Sequence, residues 1–149
     1  MQSPPNRLGA SVREAFQSDA QRISALAAQL GYPVSPEHVA MRLSELGEER
    51  RLFVAVVPRA GVVGWIGVSQ ARTLTSSDRA DIEGLVVEDE YRGNGIGEML
   101  LEAAERWAAQ HGCRTVRVLS NVVRDRAHRF YERLGYQVLK TEYVFDKTL

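Results

Sequence analysis

The six residues from Arg92 to Gly97 (R-G-N-G-I-G) have the types and spacing best suited to chemistry. Three glycines in five positions let a backbone turn tightly and bring its N–H groups close to a ligand. A strand-like run, Ile82 to Val87, leads into them and an amphipathic helix follows, so they stand where strand passes into helix. The first amides of a helix have no partner within it, and the macrodipole adds partial positive charge there, which suits a phosphate. Two common phosphate patterns fail on particular residues. The dinucleotide fingerprint needs a third small residue, but Gly93-x-Gly95 is followed by Glu98 and Gly95-x-Gly97 by Leu100. It also expects an acid about 20 positions on, and His111 to Arg124 contains none. The nucleoside-triphosphate loop needs Gly-Lys-Ser/Thr, and the lysines here are Lys140 and Lys147. The plainer alternative is that the glycines only shape a turn.

A strand, then R-G-x-G-I-G, then an amphipathic helix resembles the coenzyme A site of the GNAT family of N-acetyltransferases. A second segment, Arg124 to Tyr136 (R-D-R-A-H-R-F-Y-E-R-L-G-Y), resembles that family's later A-x-x-x-Y-x-x-x-G-Y/F motif. With weaker patterning on either side, the resemblance covers nearly the whole chain. It implies acetyl-coenzyme A as cosubstrate and no metal. It implies that the pyrophosphate rests on the amides of Arg92, Gly93, Asn94, Gly95, Ile96 and Gly97, with Arg92 adding charge. The family's bulge or splay before the glycines implies that the backbone of Leu85, Val86 and Val87 receives the acetyl oxygen and the pantetheine arm. Many members carry an asparagine three residues before the alanine of the second motif. Here that position is Arg124, with Asn121 three residues earlier; either Asn121 holds the pantetheine or Arg124 reaches a phosphate. The second motif and the final V-F-D-K-T-L are similar to the branch that includes aminoglycoside 6′-acetyltransferases.

Moving an acetyl group from a thioester to an amine requires a base for the amine, stabilisation of the carbonyl oxygen and a proton for the departing thiolate. Glu83 is the candidate base. Simple alternation places it on the face of Leu85 and Val87, in an apolar strand with Ile82 and Gly84, where a carboxylate takes up a proton readily. A solvated Glu83, or one paired with an arginine, is the alternative, and Asp81 is the fallback. The family's small-amine enzymes often have a glutamate base on the corresponding strand. Tyr131 is the candidate acid: a phenol with an ordinary pKa of about 10 can protonate a thiolate whose conjugate acid lies near 8.5. Periodicity alone makes Tyr131 a core residue beside Ala127 and Leu134, whereas the resemblance matches it to the tyrosine near the coenzyme sulfur. Arg126, Arg129 and Arg133 read as a solvated helix face. His111 and Cys113 are close enough in sequence to suggest a Cys–His nucleophile pair, but they straddle a helix end at Gly112 and read as packing. With His38 and His128 they form no metal-ligand pattern.

The elements that must position these residues fit one domain of 149 residues, 44% hydrophobic and 26% charged. Residues 1–9 read as a flexible tail and 10–149 as a single N-acetyltransferase domain. It is an α/β fold with a central mixed sheet flanked by helices, in the order β-α-α-β-β-β-α-β-α-β(-β). The first strand is expected in Ala10 to Phe16. The next two helices are capped at Ser18 or Asp19 and at Ser35-Pro36, and in the family such helices wall the acceptor pocket. Thr73 to Asp78 reads as a polar loop, and Tyr136 to Lys140 and Glu142 to Lys147 as closing strands that offer an edge for a homodimer. Zero net charge argues against a nucleic-acid binder. The polar start lacks a signal core and no run is long enough to span a membrane. A single cysteine forms no disulfide framework. Together these point to a cytoplasmic enzyme that acetylates a small-molecule amine in a ternary complex. The alternatives are a protein or peptide N-acetyltransferase and a non-catalytic acyl-coenzyme A sensor.

Overall fold

The computed structural model describes residues 8–120 and 122–149, apart from the side chains of Ser76 and Ser77. The chain divides into two compact units, one ending at Val118 and the other Leu119–Leu149. In order, the elements are β1 (Ser11–Glu14), α1 (Ala20–Gln29), α2 (Pro36–Ser44), β2 (Arg50–Val57), β3 (Gly61–Thr73), β4 (Ser76–Val87), α3 (Ile96–Gln110), β5 (Thr115–Val118) and α4 (Asp125–Arg133).

In the first unit, β1 to β5 lie in sequence order in one sheet. The first four pair antiparallel and β5 joins β4 in parallel, with α3 making the crossover a parallel pair requires. The expected polar loop at Thr73 to Asp78 is instead a tight hairpin. Thr73 pairs with Ser76, and the Thr75 N–H donates to Thr73 Oγ1. Polar side chains at an exposed tip do not prevent pairing, which continues through a register shift between Ala71 and Thr73, so both strands run further than their apolar cores suggest.

Helix α3 buries Ile96, Leu100, Ala103, Ala104 and Trp107, the stripe expected of a 3.6-residue period. It comes close to the sheet because Gly64 lies beneath it. A Cβ there would stand 2.8 Å from the Val86 carbonyl oxygen and 3.2 Å from Leu100 Cδ1. On the opposite face, Ile23 and Leu26 of α1 and Val39 of α2 pack with Val54, Val62 and Val86, and Leu52 and Trp65 lie at the margin of that cluster. Burying each such aliphatic side chain contributes about 1.5–3 kcal/mol. Ser35 caps α2 as expected, accepting from the His38 N–H at 3.1 Å, and Gly31 ends α1 at φ 86.

Asp19 behaves differently from the helix cap expected of it. Its carboxylate accepts from Arg13 at 2.8 and 3.1 Å and from the Phe16 N–H at 2.7 Å. The bonds from Arg13 hold its pKa below the ordinary carboxylate value against the opposing effect of burial, with the Phe16 N–H helping. Because the folded value lies below the unfolded one, the pair stabilises the fold above pH about 4 and loses this as pH falls through the folded value. Asp19→Asn is expected to cost about 1–2 kcal/mol near neutrality, and urea unfolding should show the gap to wild type closing as pH falls below about 4.

In the second unit, α4 exposes Arg126, Arg129 and Arg133 and half-buries Ala127, Phe130, Tyr131 and Leu134. Gly135, at φ 92, ends it. The two expected closing strands are not formed among the described residues. Their alternation supplies β propensity, but a strand exists only where an edge completes its ladder. Val138, Leu139, Tyr143, Val144 and Phe145 are exposed.

Candidate active site

The end of β4 and the glycine loop form one continuous backbone feature within the first unit. Gly67 pairs with Gly84, yet Val68 pairs with Ile82, so Glu83 is an extra residue in β4. Such a bulge resets the alternation of side chains. Val87 lies on the α3 face beside Gly64, and Leu85 shares that face by alternation. Glu83 does not. Its Cβ is 3.6 Å from the position a Cβ would take on Gly67, on the side of Leu52. The expectation that Glu83 shares the face of Leu85 and Val87 is therefore corrected: the inserted residue turns it to the face of α1 and α2. There Gly67 and Gly84 make a floor that neighbouring side chains cover, with Leu52 Cδ1 3.2 Å from the position a Cβ would take on Gly67. The Trp65 ring lies across Gly84, where a Cβ would come within 2.7 Å of Cη2. Glu83 is also not enclosed by apolar groups. It is 40% exposed and pairs with Arg50 at 3.4 Å.

β5 accompanies β4 only from Arg79 to Ile82. Past the bulge, the β5 side of β4 has no strand partner among the described residues. The Glu88 N–H donates to the Val63 carbonyl at 2.8 Å. Alternation then turns the backbone groups of Val86 toward β3 as well, and those of Leu85 and Val87 toward the open side. Val86 is thus drawn into the ladder, and its side chain is 2% exposed in the core. Leu85 and Val87 are the residues whose amides face outward.

The loop that follows is held from several directions. Arg22 of α1 donates to the Val62 carbonyl at 3.1 Å and to Glu88 at 2.9 Å. Nothing in the spacing of the sequence pointed to Arg22, because its partners lie far along the chain. Arg92 donates from Nε to the Val87 carbonyl at 3.1 Å and pairs with Asp89 at 2.6 Å. The Asn94 side chain donates to the carbonyls of Tyr91 and Arg92, so it shapes the turn. Gly93 and Gly95 both adopt φ 79, a left-handed conformation that favours glycine. Gly95 is the N-cap of α3 and supplies no side-chain cap. The amides of Ile96, Gly97 and Glu98 therefore begin the helix without a side-chain acceptor, and two carboxylates of the preceding acidic run are neutralised by Arg22 and Arg92. This donor set fits a diphosphate.

Tyr131 belongs to the second unit. Its ring meets Phe130 at 5.1 Å and Tyr136 at 5.7 Å between centroids, both edge-on. Burial pushes its phenol up, partly opposed by the charge of Arg124. Asn121 lies outside the described residues. His111 stacks on Trp107 at 4.2 Å and its Nδ1 lies 2.8 Å from the Trp107 carbonyl, while burial and Asp78 push the Cys113 thiol up. Neither forms a nucleophile pair with the other. A cavity of about 180 Å³ between α3 and β1–β2, lined in part by Arg13, Phe53 and Trp107, lies on the α3 face and is separate from this site. Among the described residues no helix is long and apolar enough to cross a membrane.

The model of the Acetyltransferase (GNAT) family matches residues 11–136, and the chain belongs to that family. Over 69 residues it is 41% identical to an aminoalkylphosphonate N-acetyltransferase of Salmonella typhimurium, a match covering 46% of this chain and 44% of that protein. Over 93 residues it is 28% identical to aminoglycoside N(6′)-acetyltransferase type 1 of Stenotrophomonas maltophilia, covering 60% and 61%. The aminoglycoside N-acetyltransferase AAC(6′)-Iy, solved in complex with CoA, shares the fold at a TM-score of 0.82 and 18% identity, over 97% of this chain and 99% of that one.

Proposed function

We propose that the chain moves the acetyl group of acetyl-coenzyme A directly to a primary amine of a small molecule, with both bound at once. The observation that carries this reading is the open edge of β4 at Leu85 and Val87 followed, beyond a short turn, by the uncapped first turn of α3. Between them the N–H groups of Glu88, Tyr91 and Arg92 are spent on the carbonyls of Val63, Glu88 and Asp89, so the available donors form two groups, one for each end of a long ligand. Acetyl-coenzyme A supplies an activated acetyl thioester. The amides from Gly93 to Gly97 seat its pyrophosphate. Arg92, whose N–H is given to the Asp89 carbonyl and whose guanidinium pairs with the Asp89 carboxylate, neutralises that acid beside it. The outward amides of Leu85 and Val87 hold the pantetheine arm and the carbonyl oxygen as it gains charge.

Glu83 stands on the glycine floor and takes the proton of the acceptor ammonium. The amine nitrogen then forms the new C–N bond as the C–S bond breaks; the sulfur receives a proton from Tyr131, and the second proton that the nitrogen sheds on becoming an amide restores the phenol through water. A phenol whose pKa is raised by burial is protonated at neutral pH and can donate. Two relatives named for acetylating aminoalkylphosphonates and aminoglycosides support a small-molecule acceptor.

The test is thiol release from acetyl-coenzyme A with a panel of aminoglycosides, polyamines, amino acids and short peptides. Silence across the panel while the coenzyme binds would favour a sensor. Tyr131→Phe is expected to lower kcat about tenfold, and a thioester with a more acidic thiol, which needs no proton to leave, should narrow that gap. A phenylalanine variant within about twofold of wild type removes the acid role.

A further inference from the structure

We infer that the acceptor is an amine that also carries an anionic group, and that Arg117 and Arg50 receive that group. The inference rests on the reading of Glu83 as the residue that meets the amine.

Four strands contribute to one polar row. Arg50 pairs in register with Ser69, Ser69 with Asp81, and Asp81 with Arg117. Ser69 is two residues from Gly67 and Arg50 two from Leu52, so the row shares the face on which Glu83 stands. It runs beside the glycine floor, about 6–7 Å along the strands. On this face Arg79 gives two hydrogen bonds to Asp81, at 2.8 and 3.3 Å, which commits both groups. Arg50 pairs with Glu83. Arg117 is half-buried, and its side chain makes no hydrogen bond or ion pair among the described residues. Three arginines therefore face two carboxylates, and the uncompensated charge is the guanidinium of Arg117.

A partly desolvated guanidinium without a partner is costly, and a bound oxyanion offsets that cost with charge-assisted hydrogen bonds. The Arg50–Glu83 pair is loose, with side chains 56% and 40% exposed, and such a pair holds its partners weakly. An incoming ammonium can replace Arg50 at Glu83, and the acceptor's own anion then takes up the guanidinium that is released. Glu83 on β4 and Arg117 on neighbouring β5 lie within the span of a short aliphatic linker. A molecule with several ammonium groups and no anion would bring charge of the wrong sign to Arg117.

The experiment compares kcat/KM for 2-aminoethylphosphonate, taurine and β-alanine with neutral ethanolamine and polycationic spermidine, using the full chain and acetyl-coenzyme A. At least one acid is expected to exceed ethanolamine by about tenfold or more. Arg117→Gln should raise KM for that acid about tenfold while moving kcat far less, and Arg117→Lys, which keeps the charge, should recover part of the loss. Turnover of ethanolamine or spermidine at a rate equal to or above every acid overturns the inference and leaves the proposed function standing. Preference for an acid that survives in Arg117→Gln overturns the role of Arg117. Silence with all three classes while another amine of the wider panel is turned over overturns this inference alone; silence across that panel as well, with the coenzyme bound, overturns the proposed function with it.

Discussion

Glu83→Gln is expected to lower kcat by about a hundredfold or more, the usual scale for removing a positioned general base. The amide keeps the size of the side chain and its place on the floor of Gly67 and Gly84, but it cannot take a proton from an ammonium. The residual kcat should then follow the fraction of acceptor already deprotonated in solution, rising about tenfold per pH unit below the amine's own pKa. Stability should change little, because Glu83 is 40% exposed and its bond to Arg50 is long, and such exposed pairs contribute about 0–1 kcal/mol. A glutamine variant that turns over within about threefold of wild type would make Glu83 merely the partner of Arg50.

The second large effect is expected at Gly95, where φ is 79 and α3 begins. Valine is strongly disfavoured in this region, by about 1–2 kcal/mol for the backbone alone, and its branches would crowd the first-turn amides. Gly95→Val should weaken coenzyme A binding about tenfold or more, read by calorimetry, and lower Tm by several degrees. Gly95→Asn separates the two causes, since asparagine tolerates positive φ. Its Tm should stay near wild type, while its side chain competes for the amides that a pyrophosphate would use and so weakens binding. An asparagine variant that binds coenzyme A as tightly as wild type would show that these amides are not the seat of the pyrophosphate.

Much of the frame was legible from local pattern. The stripe from Ile96 to Ala108, Ser35 before Pro36 and the glycine after each of three helices all fix conformation through neighbouring residues. Their consequences survive whatever packs around them. The readings that failed turned on which partner a group meets in the folded chain, near or far in sequence, and residue type alone does not fix that. Asp19 is a plausible cap by type, but Arg13 across the turn captures its carboxylate. Thr73 and Ser76 read as loop, yet they close a ladder. The segments after Tyr136 alternate like strands, yet no ladder forms on them among the described residues.

The amino-acid sequence by itself determined where the strand ends, where the helix starts and that the junction between them offers amides to a phosphate. Those properties follow from short-range sterics and periodicity. Only the tertiary structure decided which way Glu83 points, that Val86 is held by β3 while Leu85 and Val87 face outward, and that Arg50, Ser69, Asp81 and Arg117 stand in one row. A bulge has no sequence period of its own. It exists where two strands of unequal length are brought into register, and that register is set by contacts the whole sheet makes at once.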